Sequence, residues 1–139
     1  MKVLLDTNII IDIISKRDGY EDSLKLLKYC EMRKLEGYIS ATTITDIFYI
    51  LRKHIDPSQV HDAMQTLLII VNIARVGKSE ILAAFASDMK DFEDAVQVAC
   101  AKRIGADYIV TRNLKDFQQS EVKAISSSDF VKLLSGDNN

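Results

Sequence analysis

Much of what usually marks a protein's function is scarce in this chain of 139 residues. It has no Trp, one Pro, five Gly, two Cys and two His. So little Pro and Gly excludes long linkers and low-complexity segments. The two cysteines, Cys30 and Cys100, both fall inside apolar helical patterns. They exclude a disulfide framework and read as small buried hydrophobes in a reducing compartment. His54 and His61 lie on expected helices away from any acidic motif, which argues against a zinc site. No apolar run, Leu67-Leu68-Ile69-Ile70-Val71 among them, approaches the length of a membrane span, and Asp6 and Asp12 interrupt the apolar start too early for a signal peptide. The expected location is therefore cytoplasmic, with no membrane partner. Excess positive charge is lacking as well: 18 Lys and Arg stand against 20 Asp and Glu, a formal net charge of −2. Binding nucleic acid through overall charge is excluded, so such a ligand would need a local basic patch or a metal.

What is present is an ordinary globular balance, 47% hydrophobic and 27% charged, in a length that suits one domain with a real core. Residues 2–5 read as a buried strand, apolar without alternation. Ile9 to Ser15 reads as a short helix or turn, and Tyr20 to Lys34 as a longer helix that Gly37 ends. Tyr38 to Ser40 is a second strand. Thr42 or Thr43 caps the next helix, which turns Ile44, Ile47, Phe48, Ile50 and Leu51 inward. Pro57 opens a helix reaching Ile70, and Val71 to Ile73 is a third strand. Helices follow over Lys78 to Ser87 and Asp91 to Ile104, the latter nearly all apolar after Asp94 and stopped by Gly105. Asp107 to Val110 is a strand, Val122 to Ile125 a short one, and Ser127 to Leu134 a last helix. Strands separated by helices, without hairpin signals, predict a central parallel sheet covered by helices on both faces, an α/β/α sandwich. No repeat or internal domain boundary is visible.

The polar residues at the ends of these elements raise a choice. In MKVLLDTNIIID, Asp6 follows a buried strand; it either caps the next helix or sits where ligands bind, at the carboxyl end of a parallel strand. Asp46 lies one turn into the helix after the second strand. Asp91 and Asp94 open the most buried helix three residues apart, on one face of it. Val110-Thr111-Arg112-Asn113-Leu114-Lys115-Asp116 repeats the opening pattern of apolar strand, polar exit and nearby acid. Any one of these acids is explained by the preference of helix N-termini for negative charge. Four segments together point to a carboxylate cluster, and hard oxygen ligands without His or Cys select Mg²⁺ or Mn²⁺. No Ser/His/Asp grouping is apparent, and Gly77-Lys78-Ser79 lacks the upstream glycine of a phosphate-binding loop.

The segments LLDTNIIID and DFEDAVQVACAKRIGADYIVTRNLKDF, in this order and spacing, resemble the PIN domain family, in particular the small ribonucleases typified by VapC toxins. The resemblance spans nearly the whole chain. It implies a PIN domain over residues 1–134, followed by a polar tail at 135–139. It further implies an endoribonuclease dependent on Mg²⁺ or Mn²⁺, with RNA as substrate, of the toxin kind that pairs with a cognate antitoxin and forms a homodimer. By the same resemblance Asp6 and Asp94 hold the metal. Asp46 stands where the family usually has Glu; it is one methylene shorter and would reach the metal through water. Asn113 occupies a position where some relatives carry Asp and brings no charge, so Asp116 is taken as the fourth acid and Asp91 as an addition. Thr7 and Asn8 are expected to orient Asp6 by hydrogen bonds, with Thr111 and Asn113 supporting the other strand exit. Arg112 and Lys115 are candidate contacts to RNA phosphates. Arg52-Lys53 and Lys102-Arg103 are further candidates, although helix ends favour cations anyway. The alternative is a PIN-fold module that binds RNA or a protein without cutting.

Overall fold

Alternation along two short strands decides the layering. In β1 (Lys2–Leu5), Val3 and Leu5 face one hydrophobic cluster and Leu4 faces another. In β4 (Tyr108–Val110), Ile109 and Val110 divide in the same way. A strand whose both faces are apolar must be covered twice. In the computed structural model, which describes residues 1–136, it is. The sheet adds β2 (Glu36–Ser40), β3 (Asn72–Ala74) and β5 (Ala124–Ile125). It runs β3-β2-β1-β4-β5, every pair parallel. The expected α/β/α sandwich is what forms.

One face carries α1 (Thr7–Ser15), α2 (Tyr20–Glu31), α3 (Ala41–Leu51), α4 (Pro57–Ile70) and α7 (Ser127–Leu134), whose apolar side chains meet around Ile10, Leu26, Ile47, Met64 and Phe130. The other face carries α5 (Lys78–Phe85) and α6 (Phe92–Ile104), packed through Ala84, Val96, Cys100 and Ala101. Strands β1 and β2 run straight into α1 and α3, so the N-termini of these helices stand at the carboxyl edge of the sheet. The chain builds outward from β1 through β2 to β3, then returns to the other side of β1 with β4 and β5. The order reverses between β1 and β4. In open parallel sheets that crevice is where ligands bind.

Several boundaries differ from the sequence reading. Helix α2 ends at Glu31, three residues before Lys34, because the chain turns there with Arg33 at a positive φ of 59°. Gly37 does not end it. Gly37 lies inside β2, where a Cβ would stand 2.8 Å from the Cys30 sulfur, so a side chain is excluded by the close approach of α2. Ser40, not Thr42 or Thr43, caps α3 by accepting from the Thr43 N–H. Ile50, expected inside, is 43% exposed. β3 and β5 are shorter or shifted, and Leu114–Phe117 forms an unexpected 3-10 turn. Gly105 stops α6 as expected, in the left-handed region at φ 71°. Of the polar tail, residues 137–139 lie outside the described residues.

Candidate active site

The site begins at the β1/β4 crevice. Asp6 continues β1 by donating its N–H to the Val110 carbonyl, and its carboxyl is buried. One carboxyl oxygen accepts from the Thr7 N–H at 2.9 Å, the other from the Thr111 hydroxyl at 2.9 Å. Asp6 is therefore the cap of α1 and also a buried acid at the sheet's switch point; the two readings of this residue do not compete. Thr7 orients it through its backbone. Its hydroxyl points elsewhere, and no side-chain hydrogen bond of Asn8 occurs among the described residues. The Asn113 N–H donates to the Thr111 hydroxyl oxygen at 3.0 Å, steadying the group that holds Asp6.

The helix opening opposite supplies the next acids. Asp91 caps α6 by accepting from the Asp94 N–H at 3.0 Å, the role its position in a first turn favours. Asp91, Asp94 and Asp116 line one cleft of about 310 Å³ together with Lys90, Lys115 and Met89. Burial raises the Asp6 pKa, the bonds from Thr111 and Thr7 partly offset this, and the charges of Asp116 and Asp91 add to it. Asp94 is pushed up to about 7, first by burial, then by Asp91, Asp6 and Asp116. The charges of Asp91 and Asp116 thus bear on both Asp6 and Asp94. Asp46 bears on the group from α3 by a different route: its carboxyl raises the pKa of Glu93 to about 8, with burial and the charges of Asp6 and Asp91 adding to this.

Three participants escape the sequence reading. Glu93 sits beside Asp94, but helical spacing alone gives it no partner; the partner comes from α3. Asp12, buried in α1, accepts from Arg112 at 2.6 Å and lies 3.7 Å from Arg17. Arg112 is therefore tied at the strand exit by a residue a hundred positions away. Lys90 joins Lys115 in the cleft, and the run Met89-Lys90-Asp91 offered the signal of a cation beside a capping acid.

No Lys, Arg or His forms an ion pair with Asp6, Asp46, Asp91, Asp94 or Asp116 among the described residues. Nor are three His, Cys, Asp or Glu side chains there close enough to share one ion as they stand. The donor chemistry nonetheless suits a hard divalent cation: the acids offer only carboxylate oxygens, and none of them is ion-paired.

A parallel α/β/α sandwich with acids gathered at its switch point defines the class, an α/β domain built around an acidic cleft. The chain belongs to the PIN domain family, whose model matches residues 2–115. Among solved structures it resembles VapBC2 of Rickettsia felis bound to a promoter DNA fragment, at a TM-score of 0.71 and 19% identity over 91% of this chain and 98% of that one. It also resembles a toxin-antitoxin complex of Klebsiella pneumoniae, at 0.69 and 23% over 90% and 97%. A third is the sarcin-ricin loop cleaving toxin VapC20 of Mycobacterium tuberculosis, at 0.63 and 15% over 77% and 86%. At these identities the likeness establishes the fold. No curated protein sequence matches the chain.

Proposed function

We propose that this PIN domain is a Mg²⁺- or Mn²⁺-dependent endoribonuclease acting as the toxin of a toxin-antitoxin pair. The observation that carries this reading is the gathering of Asp91, Asp94 and Asp116 in one cleft with no ion pair to any of them, where burial and mutual repulsion raise the proton affinity of Asp94 and of the buried Asp6. Burying Asp6 without a cationic partner works against folding, and perturbed acids in a cleft are a mark of functional sites. Asp6 and Asp94 would hold the metal, with Asp116 and the Asp46–Glu93 pair at its margin. When bound, the ion would activate water and neutralise charge growing on a phosphodiester. Thr111 and the Thr7 N–H keep the Asp6 oxygens in place for that task. Lys115 and Lys90, in the cleft, and Arg112, fixed by Asp12, would bind phosphate oxygens of the RNA.

Protein partners fit the same reading. Leu82, Phe85 and Phe92 form an exposed apolar patch, with the two rings 4.9 Å apart and Phe85 71% exposed; a second copy of the chain would cover it. A separate apolar groove of about 340 Å³ between α1, α2 and α4, lined by Ile10, Ile13, Ile14, Leu27, Met64 and Leu67, would take apolar side chains of an antitoxin. Exposed apolar surface of this kind commonly marks protein contacts. The resemblance to solved toxin-antitoxin complexes supports this part.

The test is cleavage of single-stranded RNA by the purified protein with Mg²⁺ or Mn²⁺, with and without EDTA. Metal-dependent cleavage that EDTA stops is the expected result. Cleavage persisting in chelator overturns the metal dependence, and binding of RNA without cleavage under any metal returns the chain to the class of binding modules.

A further inference from the structure

A polar layer lies within the core next to the acids, and packing does not account for it. Gln97 on α6 is 0% exposed. Its amide nitrogen donates to the Thr7 hydroxyl at 3.2 Å and to the Thr43 hydroxyl at 3.1 Å. Those two hydroxyls are 2.9 Å apart, and the Thr43 hydroxyl is 3.0 Å from that of Ser40, the cap of α3. The Gln97 side-chain carbonyl has no hydrogen-bond partner. A buried acceptor without a donor lowers stability. Methionine has a similar volume and no such oxygen, so stability alone would favour it here.

The members of this layer share a placement. Thr7 adjoins Asp6, Thr43 is one helical turn from Asp46, and Gln97 is one turn from Asp94. Among the described residues the amide alone donates to both threonines, and so it ties the three acid-bearing elements together. Apolar contacts slide, whereas hydrogen bonds fix distance and direction, and a shift of a few tenths of an ångström alters the spacing of charged groups. We propose that Gln97 is a positioning residue that sets the mutual placement of Asp6, Asp46 and Asp94 through Thr7 and Thr43. The consequence for metal affinity rests on the function proposed above; the positioning itself does not.

The experiment compares wild type, Gln97→Met and Thr43→Val, with Cys100→Ala as a control that loosens α6 packing elsewhere. The metal-free readout is hydrogen exchange at the Thr7 and Thr43 backbone N–H groups, which donate to Asp6 and Ser40. Both layer variants should exchange at least tenfold faster at these two sites, with Ile109 and Val110 unchanged, whereas Cys100→Ala should leave the two sites alone. Titration with Mn²⁺ alone should then show an affinity roughly 10- to 100-fold weaker in the layer variants, the usual effect of losing a supporting group at a metal site. Unchanged exchange at Thr7 and Thr43 overturns the proposal, as does wild-type Mn²⁺ affinity in both variants. Should Gln97→Met not fold, Thr43→Val decides alone. If wild type binds no Mn²⁺ but the exchange results are as expected, the proposed function fails and the positioning stands.

Discussion

Two carboxyl groups near opposite ends of the α5–α6 layer show what burial does under different company. Glu80 is buried at the start of α5, where it accepts from the Ser79 hydroxyl at 2.5 Å, the Gly77 N–H at 2.7 Å and the Arg103 guanidinium at 3.0 Å. Its pKa falls to about 2, led by the Ser79 bond. Asp94, on the neighbouring helix, meets burial and three further acids, and its pKa climbs to about 7. One carboxylate is satisfied and holds the N–H of the residue that opens α5. The other is left wanting a cation. The difference sets a satisfied acid apart from a candidate site acid, which position does not do here, since both stand in the first turn of a helix.

The comparison can be broken most severely by exchanging charges. Asp94→Asn should lower RNA cleavage by roughly 10²- to 10³-fold, the usual scale for losing a group that meets developing charge. The metal-free melting temperature should hold or rise slightly, because one repelling charge is gone. Glu80→Gln should do the reverse, melting clearly earlier while cleavage per folded molecule stays near wild type. Parallel melting curves and cleavage rates on both variants check this, and an early-melting Asp94→Asn would make Asp94 a structural residue. A smaller effect is expected at Thr111→Val. It removes the donor to a buried Asp6 oxygen, costing about 1 kcal/mol of stability by chemical denaturation and raising the Asp6 pKa further.

The pH dependence sharpens the same contrast. Asp94 and Glu93 bind protons more tightly when folded, so their stabilising contribution is full below their ordinary values, 3.8 and 4.5, and is lost as pH rises through about 7 and about 8. Glu80 is opposite in sign, contributing above 4.5 and losing that contribution as pH falls through about 2. Metal-free wild type should therefore be more stable at pH 5 than at pH 8 by on the order of 1 kcal/mol, once solvent screening of the half-exposed Asp94 is allowed for. In Asp94→Asn the slope should flatten. A wild-type curve flat between pH 5 and 8 would remove the physical basis for calling the cluster uncompensated.

Most of the architecture was legible because the punctuation is local: Pro57 opens α4, Gly105 closes α6, and the unalternating strands demand cover on both faces. Gly37 misled, since a glycine near a helix end suggests a stop while its true constraint, the Cys30 sulfur, comes from another element. The acids were legible for the same reason as the caps, by their place at element ends. What escaped depends on distance in space. Arg112 finds Asp12 across the chain, Glu93 finds Asp46 across two helices, and Gln97 hides inside an apolar run where spacing marks only burial.

Melting curves with and without Mn²⁺, run across pH on wild type and Asp6→Asn, test the central claim most directly. An ion that binds only the folded protein adds about 2.7 kcal/mol at a hundredfold excess over Kd. That gain should be present in wild type, shrink as pH falls through about 7 where Asp94 takes up its proton, and vanish in Asp6→Asn. Equal gains in both proteins, or none at any pH, would contradict a metal site at these carboxylates.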